Sequence, residues 1–261
     1  MSTIRQAAVA GTFYPDDPQK LRQMLEDLLV DADTENKVPK AIIVPHAGYI
    51  YSGAIAASAY IRLRAQEQTI NCVVVIGPSH RVSFSGLAVS SAKTFATPLG
   101  DIAIDGDAID QLKDFDFVQE LDQAHAQEHS LEVQLPFLQV ILEPFKLIPI
   151  VAGDARPEDI CSVLKQFWGQ PKTLIVISSD LSHFHDYDTA KRLDAETSCH
   201  IENLEYEQLD YNSACGRVPV SGLLALAREK SLTVKTIDLR NSGDTAGNKN
   251  RVVGYGAYVV E

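Results

Sequence analysis

The sequence predicts an α/β protein whose central sheet is mainly parallel and is covered by helices on both faces. Strand-like and helix-like segments alternate along 261 residues, which is typical of parallel strands joined by crossover helices. Segment 71–76 is apolar at nearly every position, so both faces of this strand should be buried. Because no segment between 53 and 253 has the composition of a linker, we predict a single domain over residues 1–261.

The same pattern predicts the bounds of most elements. It places strands at 41–44, 71–76, 146–151, 172–178, 232–239 and 251–259, and helices at 53–64, 107–113, 156–168, 186–203 and 219–230. Residues 84–105 contain glycine, proline and short apolar pieces, which indicates a hairpin or short edge strands. An earlier helix should follow Asp16 or Asp17, which can cap it, and a polar connection follows that helix at 31–39.

Leucines at helical spacing predict a further helix across residues 128–142. Pro136 lies inside this segment. Because proline has no backbone N–H and its ring clashes with the preceding turn, Pro136 should either kink the helix or mark its true start.

Composition and charge disfavour several classes of partner. Lysine and arginine total 23 against 35 aspartate and glutamate, so the net charge is −12 at pH 7. A chain this acidic, with no long basic run, is not expected to bind nucleic acid or an anionic membrane. The N-terminus lacks the apolar core of a signal peptide, no apolar run is long enough to span a bilayer, and the four cysteines form no CxxC pair. We therefore expect a cytoplasmic protein with free thiols.

Polar clusters that contain histidine follow three of the predicted strands. His46 comes directly after the strand at 41–44, and His80 ends the segment CVVVIGPSH. Asp180 and His183 lie in SSDLSHFHD, just past the strand at 172–178. Because the carboxyl ends of parallel strands meet at one edge of a sheet, these groups should form one composite site. Imidazole is a common metal ligand and general base, although a histidine here could also merely bond to a turn.

Asp180 has several possible roles. It could be a metal ligand, it could orient a ligand histidine, or it could cap the helix that follows. If the turn after the strand is helical, Asp180 and His183 would face the same side, because residues three apart on a helix are neighbours.

Two further groups could contribute to the site. Glu128, His129 and Glu132 fall within about one helical turn, where a carboxylate beside an imidazole could act in general acid–base catalysis. Alternatively, the two glutamates line a solvated helix face. Cys215 precedes a predicted helix, where a thiol has a lowered pKa and is a better ligand or nucleophile, although a lone cysteine is more often a small buried apolar residue.

Six sequence blocks, found in matching order, resemble the Memo family, whose bacterial and archaeal members are also called AmmeMemoRadiSam system protein B. The blocks are PHAGYIYSG (45–53), IGPSH (76–80), TPLGD (97–101), EHSLEVQLP (128–136), SSDLSH (178–183) and CGRVP (215–219). The resemblance extends from RQAAVAGTFYP near the N-terminus to GYGAYVV near the C-terminus. It implies an α/β sandwich similar in fold to class III extradiol non-haem iron dioxygenases.

The resemblance also implies a metal site and a redox activity that depends on iron or copper. The two histidines and the cysteine of the family's metal site fall on His46, His80 and Cys215. Other pocket positions of the family fall on Asp180, His183, Glu128 and His129. A thiolate differs from the two-histidine-one-carboxylate set of non-haem iron oxygenases and favours softer ions such as Cu(I), without excluding iron. Ring cleavage therefore does not follow from the fold.

Three hypotheses for the function follow from these residues. The first is a metal-dependent oxidoreductase, with a dioxygenase-like fold, that acts on a small-molecule or protein substrate. The second is a non-catalytic module that binds a peptide or partner protein in the same pocket, and the family name implies a radical-SAM protein as that partner. The third is a zinc-type hydrolase with the same ligands. Animal members are described as docking a phosphotyrosine peptide, but Val218 replaces a histidine in the CGRxP block and removes a basic contact there.

Overall fold

The computed structural model describes residues 4–30, 38–65, 70–142 and 144–261. These residues form two sheets and eight α-helices. The predicted polar connection at 31–39 lies largely outside these ranges. The strands are β1 (Ile4–Arg5), β2 (Ala41–Val44), β3 (Cys72–Pro78), β4 (Leu87–Val89), β5 (Thr94–Thr97), β6 (Gly100–Ala103), β7 (Val118–Glu120), β8 (Lys146–Ala152), β9 (Thr173–Ser178), β10 (His183–His185), β11 (Val234–Asn241) and β12 (Val252–Val260). The helices are α1 (Pro18–Val30), α2 (Tyr49–Tyr60), α3 (Gly106–Leu112), α4 (Asp122–Ala126), α5 (Leu135–Ile141), α6 (Pro157–Phe167), α7 (Tyr187–Glu202) and α8 (Arg217–Glu229).

The larger sheet is mixed, with a parallel centre. Its strand order is β10-β12-β2-β9-β3-β8-β4-β7. Strand β11 also pairs with β12, on the side opposite β2. Strands β2, β9, β3 and β8 are parallel, whereas β12 runs antiparallel to β2 and β4 runs antiparallel to β8. The prediction of a mainly parallel sheet therefore holds only at the centre. The connections 79–86 and 242–251 contain no crossover helix, and a chain that returns directly must run antiparallel.

Both faces of the central strands are buried, as their unbroken apolar sequences predict. Successive residues point to opposite faces, so Ile42 and Val44 join one apolar cluster whereas Ala41 and Ile43 join the other. Helices α1, α2 and α5 contribute to the first cluster, and α6 and α8 contribute to the second. The sheet thus lies between two helical layers.

Local capping shifts two predicted helices. The helix predicted at 53–64 begins at Tyr49, because the carbonyl of Gly48 already accepts the amide protons of Tyr51 and Ser52. Of the segment 128–142, only Leu135–Ile141 is α-helical, after a 3-10 turn at Glu132–Gln134. Pro136 lies in the first turn, so it marks the start of the helix and does not kink it.

The smaller sheet joins the N-terminus to the 84–105 region. Strand β1 pairs parallel with β5, and β5 pairs antiparallel with β6, which confirms the short edge strands predicted there. Short elements β7 and α4 were not predicted from the apolar pattern. In the described ranges, every helix is too short or too polar to cross a bilayer.

Candidate metal centre

Three adjacent strands deliver the polar residues of the site. In the order β2-β9-β3, these parallel strands end at Val44, Ser178 and Pro78. Two residues beyond each end stand His46, Asp180 and His80 respectively. Because the strands are parallel and in register, equivalent positions past their ends fall at one edge of the sheet. The predicted meeting of these clusters at a single edge is therefore what the fold produces.

Cys215 joins the two imidazoles from a distant part of the chain. Its Sγ lies 3.3 Å from His46 Nε2, and the rings of His46 and His80 have centroids 5.1 Å apart. One donor atom from each of the three residues lies within 4.8 Å of the others. The amide of Cys215 donates to the carbonyl of Asp180 at 3.3 Å, so the turn before α8 is attached to the strand end that carries the aspartate.

The hydrogen bonds of Ser178 fix the tautomer of His46. The hydroxyl of Ser178 has one proton, which it donates to the carbonyl of Ser130 at 2.6 Å. It accepts from the side-chain amide of Gln134 at 2.8 Å, so towards His46 Nδ1 at 2.9 Å it can only accept. His46 Nδ1 must therefore carry the proton, and the lone pair lies on Nε2, the atom that faces Cys215.

A carboxylate fixes His80 in the same tautomer. Glu128 Oε1 lies 2.9 Å from His80 Nδ1, and Glu128 Oε2 accepts the backbone amide of His80 at 2.6 Å. Burial opposes the ionisation of Glu128, but its hydrogen bonds from His80 and Ser130 outweigh burial and lower the pKa to about 2. An ionised Glu128 makes His80 Nδ1 the protonated nitrogen and leaves Nε2 free to bind a cation.

The two imidazole nitrogens and the thiol fit a metal ion that prefers nitrogen and sulfur ligands. Burial, and secondarily the nearby His80 ring, holds the pKa of His46 well below its ordinary value, so this imidazole is neutral. Burial and then the neighbouring Asp180 raise the pKa of the Cys215 thiol. A bound cation would reverse the effect on the thiol, because it replaces the proton of a coordinating cysteine. The site therefore offers Nε2 of each of the two imidazoles and one thiol whose proton a cation can replace.

A second group of potential ligands shares His80 with the first. Donor atoms of His80, Glu128 and His129 also lie within 4.8 Å of one another. However, the carboxylate of Glu128 already accepts from the amides of His80, His129 and Ser130 and from the His80 ring. Three of these donors bond Oε1 and one bonds Oε2, and two of the four belong to His80, so Glu128 orients His80.

Asp180 is held by the backbone of His46. Its Oδ1 accepts the amide proton of His46 at 2.7 Å, and its Oδ2 lies 4.0 Å from His46 Nε2. Burial raises the pKa of Asp180 to about 6. The turn after Asp180 is not helical, since His183 begins β10. Of the possible roles of Asp180, that of a helix cap is excluded, because Asp186 caps α7 by accepting from the amide of Thr189.

The two remaining predicted histidines have different surroundings. The His129 ring stacks on His80 with centroids 4.5 Å apart, and burial with the nearby His80 lowers its pKa to about 4. His183 is half-buried, and its Nδ1 bonds the carbonyl of Leu181 at 2.8 Å. His129 therefore lies against the candidate ligands, whereas His183 stands outside the three converging donors.

Several residues whose structural role the local sequence patterns did not predict hold the site in place. Glu132 is buried in an ion pair with Arg5 and accepts from the Tyr14 hydroxyl at 2.5 Å, which overturns the interpretation of a solvated glutamate face. Arg5 also donates to the carbonyl of Glu128 at 2.6 Å. Ser178 and Gln134, which fix His46, lie inside two of the six sequence blocks that resemble the Memo family. Their place in these blocks is the sequence feature that could have identified them.

The fold and the converging donors define an α/β protein with a candidate metal centre of two imidazoles and a thiol. A sequence model described as "Memo-like protein" matches residues 5–259, and the chain belongs to this family. It is 38% identical over 267 residues to a MEMO1 family protein of Aquifex aeolicus, with 97% of each chain covered. It is 36% identical over 276 residues to a MEMO1 family protein of Methanobrevibacter smithii, covering 97% of this chain and 98% of the relative. The family predicted from the six blocks is confirmed.

Proposed function

We propose that this chain is a single Memo-like domain that binds iron or copper through His46, His80 and Cys215 and acts as a redox protein in the cytoplasm. The observation that carries the proposal is the convergence of two fixed imidazole lone pairs on one thiol. Such a ligand set suits transition metals, and its thiolate favours Cu(I). The expected relationship to class III extradiol dioxygenases is part of the same proposal. When bound, the metal would supply electron transfer or oxygen chemistry.

The residues around the donors have defined tasks in this proposal. Asp180 holds the backbone of His46, and its raised pKa allows it to carry or release a proton near neutral pH. His129 is neutral at pH 7 and can accept a proton at an imidazole nitrogen. His183 is a further candidate for proton movement. We propose these roles for a small-molecule or protein substrate.

A second candidate function is a non-catalytic module that binds a peptide or partner protein, including a radical-SAM protein, in the same pocket. One observation favours it. Asp180 is the nearest carboxylate to His46 Nε2, and one of its oxygens is bonded to a backbone amide. The two-histidine-one-carboxylate set that suits oxygen activation is therefore replaced by a set with a thiol.

Elemental analysis of purified protein tests the proposal. Wild-type protein should contain about one iron or copper per chain, and His46→Ala and Cys215→Ser should each lose it, because a site with two remaining donors binds weakly. His200→Ala and Cys199→Ser are matched controls on α7 and should keep the metal. Metal that persists in His46→Ala would contradict the site, and stoichiometric zinc would select the hydrolase hypothesis instead.

Redox function needs its own measurement. The bound metal should change oxidation state when ascorbate and then oxygen are added, as followed by electron paramagnetic resonance. A metal that binds stoichiometrically but does not change oxidation state would favour the partner-binding function.

A further inference from the structure

We propose that the cleft beside the candidate metal centre binds a small organic acid, whose carboxylate pairs with Arg217 while the rest of the molecule faces His80 and Cys215. This inference rests on the proposed function, because it names the class of ligand that the same site would receive. It concerns the metal-free protein as well, since the side chain that recognises the acid is not a metal donor.

The cleft is adjacent to the donors and has the size of a small-molecule site. It encloses about 390 Å³, and both His80 and Cys215 contribute to its wall. Pockets for small ligands have volumes of roughly 300–1,000 Å³. Apolar wall residues, among them Val82, Phe84 and Val218, can contact an uncharged body. A molecule that enters this cleft would therefore approach the metal site directly.

The charges of the cleft are not compensated. Arg81 and Arg217 line it, and among the described residues neither has a carboxylate within ion-pair distance. Asp154 also lines the cleft and pairs with neither arginine. The wall therefore carries one more positive charge than negative charge, in a protein whose net charge is −12. This local excess attracts an anion.

Arg217 has a buried donor without an acceptor. Its Nε is excluded from solvent and has no hydrogen-bond partner in the part of the chain that the structure describes. A buried polar group that lacks a partner is unfavourable. Because solvent does not reach this atom, a ligand oxygen can accept from it only after the Arg217 side chain turns towards the cleft, and that turn would remove the penalty.

The contact of Arg217 with Tyr211 leaves its donors available. The guanidinium carbon lies 3.7 Å from the centroid of the Tyr211 ring, so the two groups stack. Stacking uses the face of the guanidinium, whereas its five N–H donors lie in the plane and point outward. The tyrosine therefore orients the arginine, and its edge remains free for a bidentate carboxylate.

A carboxylate matches the cleft better than a phosphate monoester does. A carboxylate carries one negative charge and forms a planar pair with a single guanidinium. A phosphate carries nearly two charges at pH 7, and the carboxylate of Asp154 in the same wall repels the second. The structure thus favours an organic acid over a phosphorylated ligand.

The test compares three probes with the same ring and different head groups: benzoate, phenyl phosphate and benzyl alcohol. Binding to the full metal-free chain is measured by isothermal titration calorimetry, and metal content is measured in separately loaded samples. Benzoate should bind at least tenfold tighter than either other probe. Arg217→Gln should weaken benzoate at least tenfold, Arg217→Lys should restore part of the affinity, and Arg192→Gln, an exposed control on α7, should change nothing.

Several outcomes would overturn the inference. These are no detectable benzoate binding, equal affinity for benzyl alcohol, tighter binding of phenyl phosphate, or an Arg217→Gln variant that melts like wild type and keeps its benzoate affinity. Failure of the proposed function is seen separately, as absence of iron or copper from a wild-type protein that still binds benzoate. If Arg217→Gln does not fold, Arg217→Lys and Arg81→Gln replace it, and both should weaken benzoate without loss of metal.

Discussion

His46 and His80 occupy equivalent positions, each two residues beyond a strand that flanks β9, yet they are held by different chemistry. His46 is buried and bonds the hydroxyl of Ser178, whereas His80 is partly exposed and bonds the carboxylate of Glu128. A carboxylate partner makes an imidazole more basic than a neutral hydroxyl does. The two candidate ligands are therefore oriented by separate partners. Substitutions at the partners of His80 and at the partners of His46 should have different effects on stability and on metal affinity.

The largest effect is expected from the buried ion pair that supports the His80 side. Arg5→Ala leaves Glu132 charged and buried without its cation, which should lower the free energy of unfolding by about 3–5 kcal/mol. Lys165→Ala breaks an exposed ion pair with Glu229 and should cost no more than about 1 kcal/mol. Urea unfolding of both variants checks the difference. Equal effects would mean that the ion pair does not support the fold.

The next effect is the pH dependence that Glu128 introduces. Its folded pKa of about 2 lies below the ordinary 4.5, so the ionised carboxylate stabilises the fold by about 3 kcal/mol at neutral pH. This contribution is complete above the unfolded pKa and is lost as the pH falls from about 4.5 towards 2. Glu128→Gln should therefore be less stable than wild type at pH 7, and the difference should shrink in acid. A difference that is constant from pH 7 to pH 3 would contradict the ionised state.

Glu128→Gln should also weaken metal binding by about 10–100-fold, the usual effect of removing the partner of a ligand histidine. Competition with a chelator of known affinity measures this loss. An unchanged affinity would show that His80 needs no oriented partner.

A smaller effect is expected on the His46 side. Ser178→Ala removes the acceptor of His46 Nδ1 and leaves the amide of Gln134 one acceptor short, which should cost about 1–3 kcal/mol of unfolding free energy. Metal affinity should fall less than in Glu128→Gln, because a neutral hydroxyl polarises the ring less than a carboxylate. Ser162→Ala, on the exposed face of α6, is the control and should change stability by less than about 0.5 kcal/mol. A greater loss of metal than in Glu128→Gln would reverse the comparison.

The strand ends were predictable because their signals are local. Apolar runs stop at Pro45 and Pro78, and a histidine follows each within two residues. The parallel arrangement of β2, β9 and β3 then brings these residues to one edge of the sheet, and this does not depend on how the other strands are connected. The place of Cys215 in the site was predicted from the resemblance to the Memo family, since a lone cysteine before a helix has no distinctive local pattern.

The surrounding hydrogen bonds were not predictable from local patterns. Glu132 pairs with Arg5 across 127 positions, and Gln134 bonds Ser178 across 44. The spacing of Glu128, His129 and Glu132 leaves an acid–base role and a solvated face open, because spacing contains no information about a partner such as Arg5 near the N-terminus. The antiparallel direction of β4 and β12 was not predicted for a similar reason. It depends on which strand each short connection joins, and the apolar pattern of a strand does not contain that information.

X-ray absorption spectroscopy on protein loaded with Cu(I) tests the central claim most directly, because it identifies the atoms bound to the metal. We predict two imidazole nitrogens and one sulfur around the ion in wild-type protein, and loss of the sulfur in Cys215→Ser. A wild-type spectrum with nitrogen and oxygen ligands only, or a sulfur signal that survives in Cys215→Ser, would contradict the convergence of the two histidines and the cysteine on one ion.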